Sequence, residues 1–189
     1  MTITPDVRSG LTLSGAVGLT PWRAADVDDA FAVYGAAAVT SWPCPQVARV
    51  ADLAAMRVLV EQWGREGLGA PHGRWAVRRL DDGGVVGGAT LLPLPPGDED
   101  TGMTWQLRPD ADAQLAEETA FLVASQAFAH GLDEVFALVR PGADTTAIRR
   151  NGMYWVGETS KYFGLDLQVY RLRVADLDRA APEGHHPPS

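Results

Sequence analysis

The chain has 189 residues, 46% hydrophobic and 21% charged, enough for one domain that buries a full core. Sixteen basic against 24 acidic side chains leave a net charge of −8, which argues against a non-specific nucleic-acid binder, because such proteins work by neutralising phosphates. The single cysteine, Cys44, rules out an internal disulfide; with four scattered histidines it also rules out a zinc cluster, and no apolar run approaches the roughly 18 residues of a membrane span.

The opening "MTITPDVRSG" carries no apolar leader core, so the cytoplasm is the expected compartment. Residues 1–14 are polar and uncapped and read as a loose tail, as do residues 178–189, whose "AAPEGHHPPS" ends the chain. His185 and His186 fall in that proline-rich stretch, and no metal is expected there. One domain is expected over residues 15–177.

"GAVGLTPWR" reads as a strand, and "DVDDAFAVYGAAAV" as a helix with Val27, Ala30, Phe31 and Tyr34 on one stripe. Two prolines in "SWPCPQV" break it. "ADLAAMRVLVEQWGREG" is a second helix, capped by Asp52, with Leu53, Met56, Val60 and Trp63 on one face. "GRWAVRRL" and "VVGGATLLPLP" are strands joined by "DDGG", whose glycines supply the positive φ of a hairpin turn. After the loop "PPGDED" comes the strand "TGMTWQLRP". A helix over 113–131 follows, with Phe121, Ala124 and Phe128 in one stripe. "EVFALVRP" is a buried-type strand, "DTTAIRR" a turn or two of helix, and "GMYWVGETSKYF" and "LDLQVYRLRV" are the closing strands. The order βααβββαβαββ is an α+β pattern with a mixed, mostly antiparallel central sheet flanked by helices. One crossover, through the 113–131 helix, can make a neighbouring pair parallel.

That order and its spacing resemble the Gcn5-related N-acetyltransferase (GNAT) superfamily, an acyl-CoA N-acyltransferase fold, over about residues 16–176. The look is nearest to the branch that modifies ribosomal-protein N-termini. The pieces that carry the resemblance are "LTPWRAADVDDAFAVY", "GRWAVRRLDDGGVVGGATLL", "WQLRP" followed by "AEETAFLVASQAFAHGLDEVFALVRPG", and "GMYWVGETSKYFGLDLQVYRL". The resemblance implies acetyl-CoA held between two splayed strands, 102–108 and 135–140. Its pyrophosphate would rest on the start of the next helix, where free amides and the helix dipole favour an anion.

The residues falling on that cradle are Leu107, Arg108, Ala113, Gln114, Leu115 and Ala116. The family's loop runs with a basic or polar residue, two spacers, Gly, any residue, then Gly or Ala. Here "PDADAQLAEE" puts Ala113 near the first glycine, and the second is lost to Leu115 or to a one-residue shortening. Asp110 and Asp112 add negative charge where the anion would lie; Asp112 reads equally as a helix cap. Thr146 stands at the family's serine, where its hydroxyl would protonate a leaving thiolate or simply begin a helix, and Ala143 replaces the usual asparagine. The strand position of a general base falls on Gly102, leaving Glu99, Asp100, His72 and His130 as candidates. Glu99 and Asp100 read equally as a solvated acidic loop, and His130 as favourable charge at a helix C-terminus. Trp42, Trp105 and Tyr162 are the rings expected at an acceptor pocket.

The implied function is transfer of an acetyl group from acetyl-CoA to an amine of a small molecule or a protein N-terminus. Neither nucleic acid nor membrane is expected as a partner, and a homodimer is left open. The altered loop keeps two other readings open. One is the same fold without coenzyme A, its cleft used for cofactor-independent chemistry or small-molecule binding. The other is a non-catalytic subunit.

Overall fold

The computed structural model of the chain describes residues 12–35, 49–66, 68–162 and 164–177. Trp42, Cys44, His185, His186 and the expected C-terminal tail lie outside them. The elements in chain order are β1 (Thr12–Ser14), β2 (Val17–Pro21), a 3-10 turn (Ala24–Asp26), α1 (Val27–Tyr34), α2 (Leu53–Arg65), β3 (Gly73–Arg79), β4 (Val85–Pro93), β5 (Thr101–Leu107), α3 (Ala113–Ala129), β6 (Glu134–Val139), α4 (Thr146–Arg150), β7 (Tyr154–Thr159), β8 (Leu167–Arg173) and α5 (Val174–Leu177). The expected order holds, with two short additions besides the 3-10 turn. β1 pairs with β2 across a turn at Gly15, so the start of the domain reaches into the stretch read as a tail. That turn is held from a distance: Glu118 on α3 accepts the Ala16 amide at 2.8 Å, a link local sequence does not reveal. α5 is the second addition, continuing directly from β8.

The strands form one eight-stranded sheet in the order β1-β2-β3-β4-β5-β6-β8-β7. Every pair is antiparallel except β5 and β6, which α3 connects as a crossover. The β3–β4 hairpin turns at Gly83, which takes φ 74°, and the Asp82 carboxylate accepts the Gly84 amide at 2.8 Å.

The two faces of the sheet carry separate cores. α3 and Ile148 of α4 pack on one, against Val77, Val86, Ala89, Leu91, Met103 and Trp105. α1 and α2 pack on the other, where Trp22, Tyr34 and Trp63 meet ring against ring. Gly88 on β4 makes that second contact possible, because a Cβ there would overlap the Tyr34 hydroxyl and the Trp22 ring. Beneath α1, Asp26 is 5% exposed and meets Arg78 at 2.6 Å, while also accepting the Arg23 amide at 2.8 Å. A smaller cluster of Leu94, Leu138, Tyr162, Leu167 and Val169 lies under the β7–β8 loop.

Candidate active site

β5 and β6 build a slot by parting. Gly102 and Phe136 are the only ladder partners the two strands share. Beyond that pair, residues 104–107 and 137–139 have no partners across the gap. These stretches lead to the starts of α3 and α4, which follow the two strands.

Side chains along β5 alternate between the sheet's faces. Met103 and Trp105 enter the core beneath α3, so Thr104 and Gln106 point to the opposite face. The Thr104 hydroxyl is 3.0 Å from that of Thr90. Gln106 donates from Nε2 to the Leu107 carbonyl at 3.0 Å, while its Oε1 is buried with no hydrogen-bond partner. A buried acceptor without a donor is costly, and an incoming N–H or O–H relieves that cost. Nothing in the local sequence signals this: Gln106 reads as a polar position in an alternating strand. The absence of a side chain at Gly102 also has a physical reason. A Cβ there would lie 2.5 Å from Leu94 Cδ2, so Leu94 fills the space a strand glutamate would need.

Polar groups gather at the start of β5. His72 Nε2 lies 3.2 Å from the buried Thr101 hydroxyl. Asp100 Oδ2 accepts from the Tyr162 hydroxyl at 2.8 Å and from Lys161 Nζ at 3.2 Å. The Tyr162 hydrogen bond, with help from Lys161, holds the Asp100 carboxyl below the usual carboxylate range against a partial burial that acts the other way. Burial and the same bond push the Tyr162 phenol up. These contacts fasten the β7–β8 loop back over the sheet. Beside His72 is a pocket of about 260 Å³, bordered by Trp22, Trp63, Glu66 and Arg74, with Arg74 bonded to Glu66 at 2.8 Å.

The other expected site residues are divided between the two ends of the slot. Glu99 is exposed beside Asp100, at the same end as His72. Thr146 is at the far end, at the start of α4, where its hydroxyl donates to Asp144 at 2.7 Å and its amide donates to the same oxygen at 2.9 Å. His130 caps the end of α3, with Nδ1 2.8 Å from the Gln126 carbonyl. Trp105 is corrected from pocket to core: it is 3% exposed under α3, because its parity on β5 turns it away from the face of Thr104. Tyr162 is 6% exposed, and its hydroxyl reaches Asp100. Asp100 and Gln106 are the residues that sequence reasoning weighed too lightly or missed.

The mouth of the slot tests whether a coenzyme A molecule fits. Leu107 and Arg108 continue the β4–β5 pairing, the Arg108 amide donating to Val86 at 2.8 Å. Asp112 then caps α3. Its Oδ1 accepts the Gln114 amide at 2.9 Å and its carbonyl accepts the Leu115 amide at 3.0 Å. Ala113 and Gln114 are exposed, while Leu115 and Ala116 lean on the core. Arg108 is spent on Asp110, at 3.0 and 3.1 Å, and approaches Asp29 at 3.6 Å. That pairing lowers the Asp110 carboxyl below its ordinary range. Arg79, on the same rim, is paired with Asp82. The helix start, as arranged, therefore does not suit a diphosphate.

A family model for the acetyltransferase (GNAT) domain matches residues 17–153. Among solved structures, a probable GNAT-family acetyltransferase from Chromobacterium violaceum superposes with a TM-score of 0.69 at 17% identity, covering 94% of this chain and 93% of that one. The GNAT-family acetyltransferase from Bacillus anthracis gives 0.67 at 15% identity, covering 85% and 95%. RimJ from Mycobacterium smegmatis, solved with CoA-disulfide, gives 0.65 at 17% identity, covering 86% and 84%. At such identities these structures bear on the fold alone. No protein of curated function matches the sequence.

Proposed function

The chain belongs to the GNAT acetyltransferase family, and from that premise we propose that it transfers an acyl group from a thioester to the amine of a small molecule or of a protein N-terminus. Acetyl-CoA is the family's acyl donor. The observation that carries the proposal is the parting of β5 and β6 after a single shared pair, which leaves backbone groups along β5 open to an extended arm.

The amine approaches from the face opposite α3. Gln106 Oε1, buried and otherwise unpartnered, accepts an N–H and orients the nitrogen. His72 stands at the opposite end of β5 from Gln106, tied to the strand through Thr101, and receives the amine's proton through solvent in the 260 Å³ pocket that it borders. Glu99, exposed at the same end, is the second proton acceptor open to solvent. Asp100 is held ionised by Tyr162 and Lys161, which makes it a poor base and a good anchor for the loop over the site. Thr146 would supply a proton to the thiolate once its hydroxyl leaves Asp144.

The test is thiol release from acetyl-CoA and from S-acetylpantetheine, measured with and without a panel of primary amines and N-terminal peptides. Amine-dependent release is expected, and His72→Ala should lower it about tenfold or more with the donor KM unchanged. Folded protein that releases no thiol in an amine-dependent way from either donor would end the proposal.

A further inference from the structure

We infer that the start of α3 is closed to a diphosphate by the chain's own carboxylates, so that a donor is recognised through its thioester arm alone. This rests on the proposal that the β5–β6 slot receives that arm, and it narrows the donor to what the slot itself can read.

Three independent features point the same way. The first is occupancy. A diphosphate on a helix start needs outward-facing amides, and here two of them are already committed, Gln114 to the Asp112 side chain at 2.9 Å and Leu115 to the Asp112 carbonyl at 3.0 Å. The Asp112 carboxylate sits where an anion would sit and makes the bond an anion would make.

The second is charge. The pocket at this rim, about 470 Å³, is lined by Asp29, Asp110 and Asp112 against Arg79 and Arg108. Both arginines already carry carboxylate partners: Arg108 has Asp110 and Asp29, and Arg79 has Asp82 and Asp81. A diphosphate would enter a rim with an excess of negative groups and with its cations engaged, and like charges a few ångströms apart repel even when partly solvated.

The third is shape. Leu115 lines the same pocket and packs on the core from the first turn of α3, and Ala113 precedes it, so the backbone cannot be approached as closely as glycine would allow.

Calorimetric titration of the full chain with pantetheine, dephospho-coenzyme A and coenzyme A separates the arm from the diphosphate. Wild type should bind all three within about threefold of one another, because the diphosphate adds nothing. Asp110→Asn combined with Asp112→Gly removes both charges and frees the Gln114 amide. Affinity for the two diphosphate ligands should then rise about tenfold while pantetheine is unchanged. Asp110→Asn with Asp112→Asn keeps a capping side chain and removes only the charge; it should give a smaller gain of about threefold and remains informative if the glycine variant does not fold. Wild type binding coenzyme A tenfold or more tighter than pantetheine overturns the inference. So does a folded double variant whose ratio of the two affinities matches wild type. Loss of the proposed function reads out separately, as pantetheine that binds neither wild type nor variant.

Discussion

At the scale of single residues, the proposal turns on Gln106. Its Oε1 is buried without a donor, and a polar atom left in that state costs about 1–3 kcal/mol. A buried acceptor of this kind takes a donor from a ligand or from an ordered water. Replacing it with leucine, of similar size, removes the orphan oxygen and also the Nε2 bond to the Leu107 carbonyl. The two changes offset each other, so Gln106→Leu should shift unfolding stability in urea by less than about 0.5 kcal/mol. The KM for the amine should rise about tenfold at unchanged donor KM. A stability loss above about 1.5 kcal/mol with normal amine kinetics would make the side chain structural, and the orientation proposed for the amine would fall. Sequence reasoning passes over this residue because a strand glutamine is ordinary by type. Only the burial of one of its atoms distinguishes it.

At the scale of elements, most of the architecture was legible, because hydrophobic period and turn chemistry are local properties. Asp52 caps α2 by accepting the Ala55 amide at 2.8 Å, and Met56, Val60 and Trp63 form its buried face, as their spacing implies. Asp112 caps α3 in the same way. β1 and the folded-back β7–β8 loop were not legible, because both are secured by residues far along the chain: Glu118 for the first, Asp100 for the second. The loop's anchor carries a pH dependence. Asp100 titrates below its ordinary value of 3.8 in the folded chain, chiefly through the Tyr162 hydroxyl. A depressed carboxyl contributes stability that is complete above the unfolded pKa of about 3.9 and fades as pH falls through the folded value. Tyr162→Phe should therefore cost about 1–2 kcal/mol at pH 7, with the difference from wild type shrinking as the pH falls below about 4. Urea midpoints across that range decide it. An equal cost at pH 7 and at low pH would mean that the hydroxyl matters for packing alone.

At the scale of the whole molecule, the sheet divides the labour. One face, under α3 and α4, is closed by apolar packing, and the other keeps polar atoms at Thr90, Thr104 and Gln106 beside the slot. Composition and net charge bear on none of this; they say only that the surface repels anions, in keeping with a rim that turns a diphosphate away. The candidate bases were visible as residue types, but whether they meet depends on which ends of which strands adjoin. That is why His72 and Glu99 fall at one end of the slot and Thr146 at the other. If the slot is the ligand site, a thioester arm should bind the native chain and leave a local trace. At a hundred times its dissociation constant, S-acetylpantetheine should stabilise the fold by about 2.7 kcal/mol, raising Tm by roughly 5–10 °C for a chain of this size. Hydrogen exchange should slow in residues 104–107 of β5 and in the C-terminal half of β6, where the strands have no partners across the gap, and stay unchanged in β2 and β3, which are fully paired. A matching rise in Tm with protection confined to the region around α2, or to the α3 start, would place the ligand elsewhere and remove the ground on which the transfer reaction is proposed.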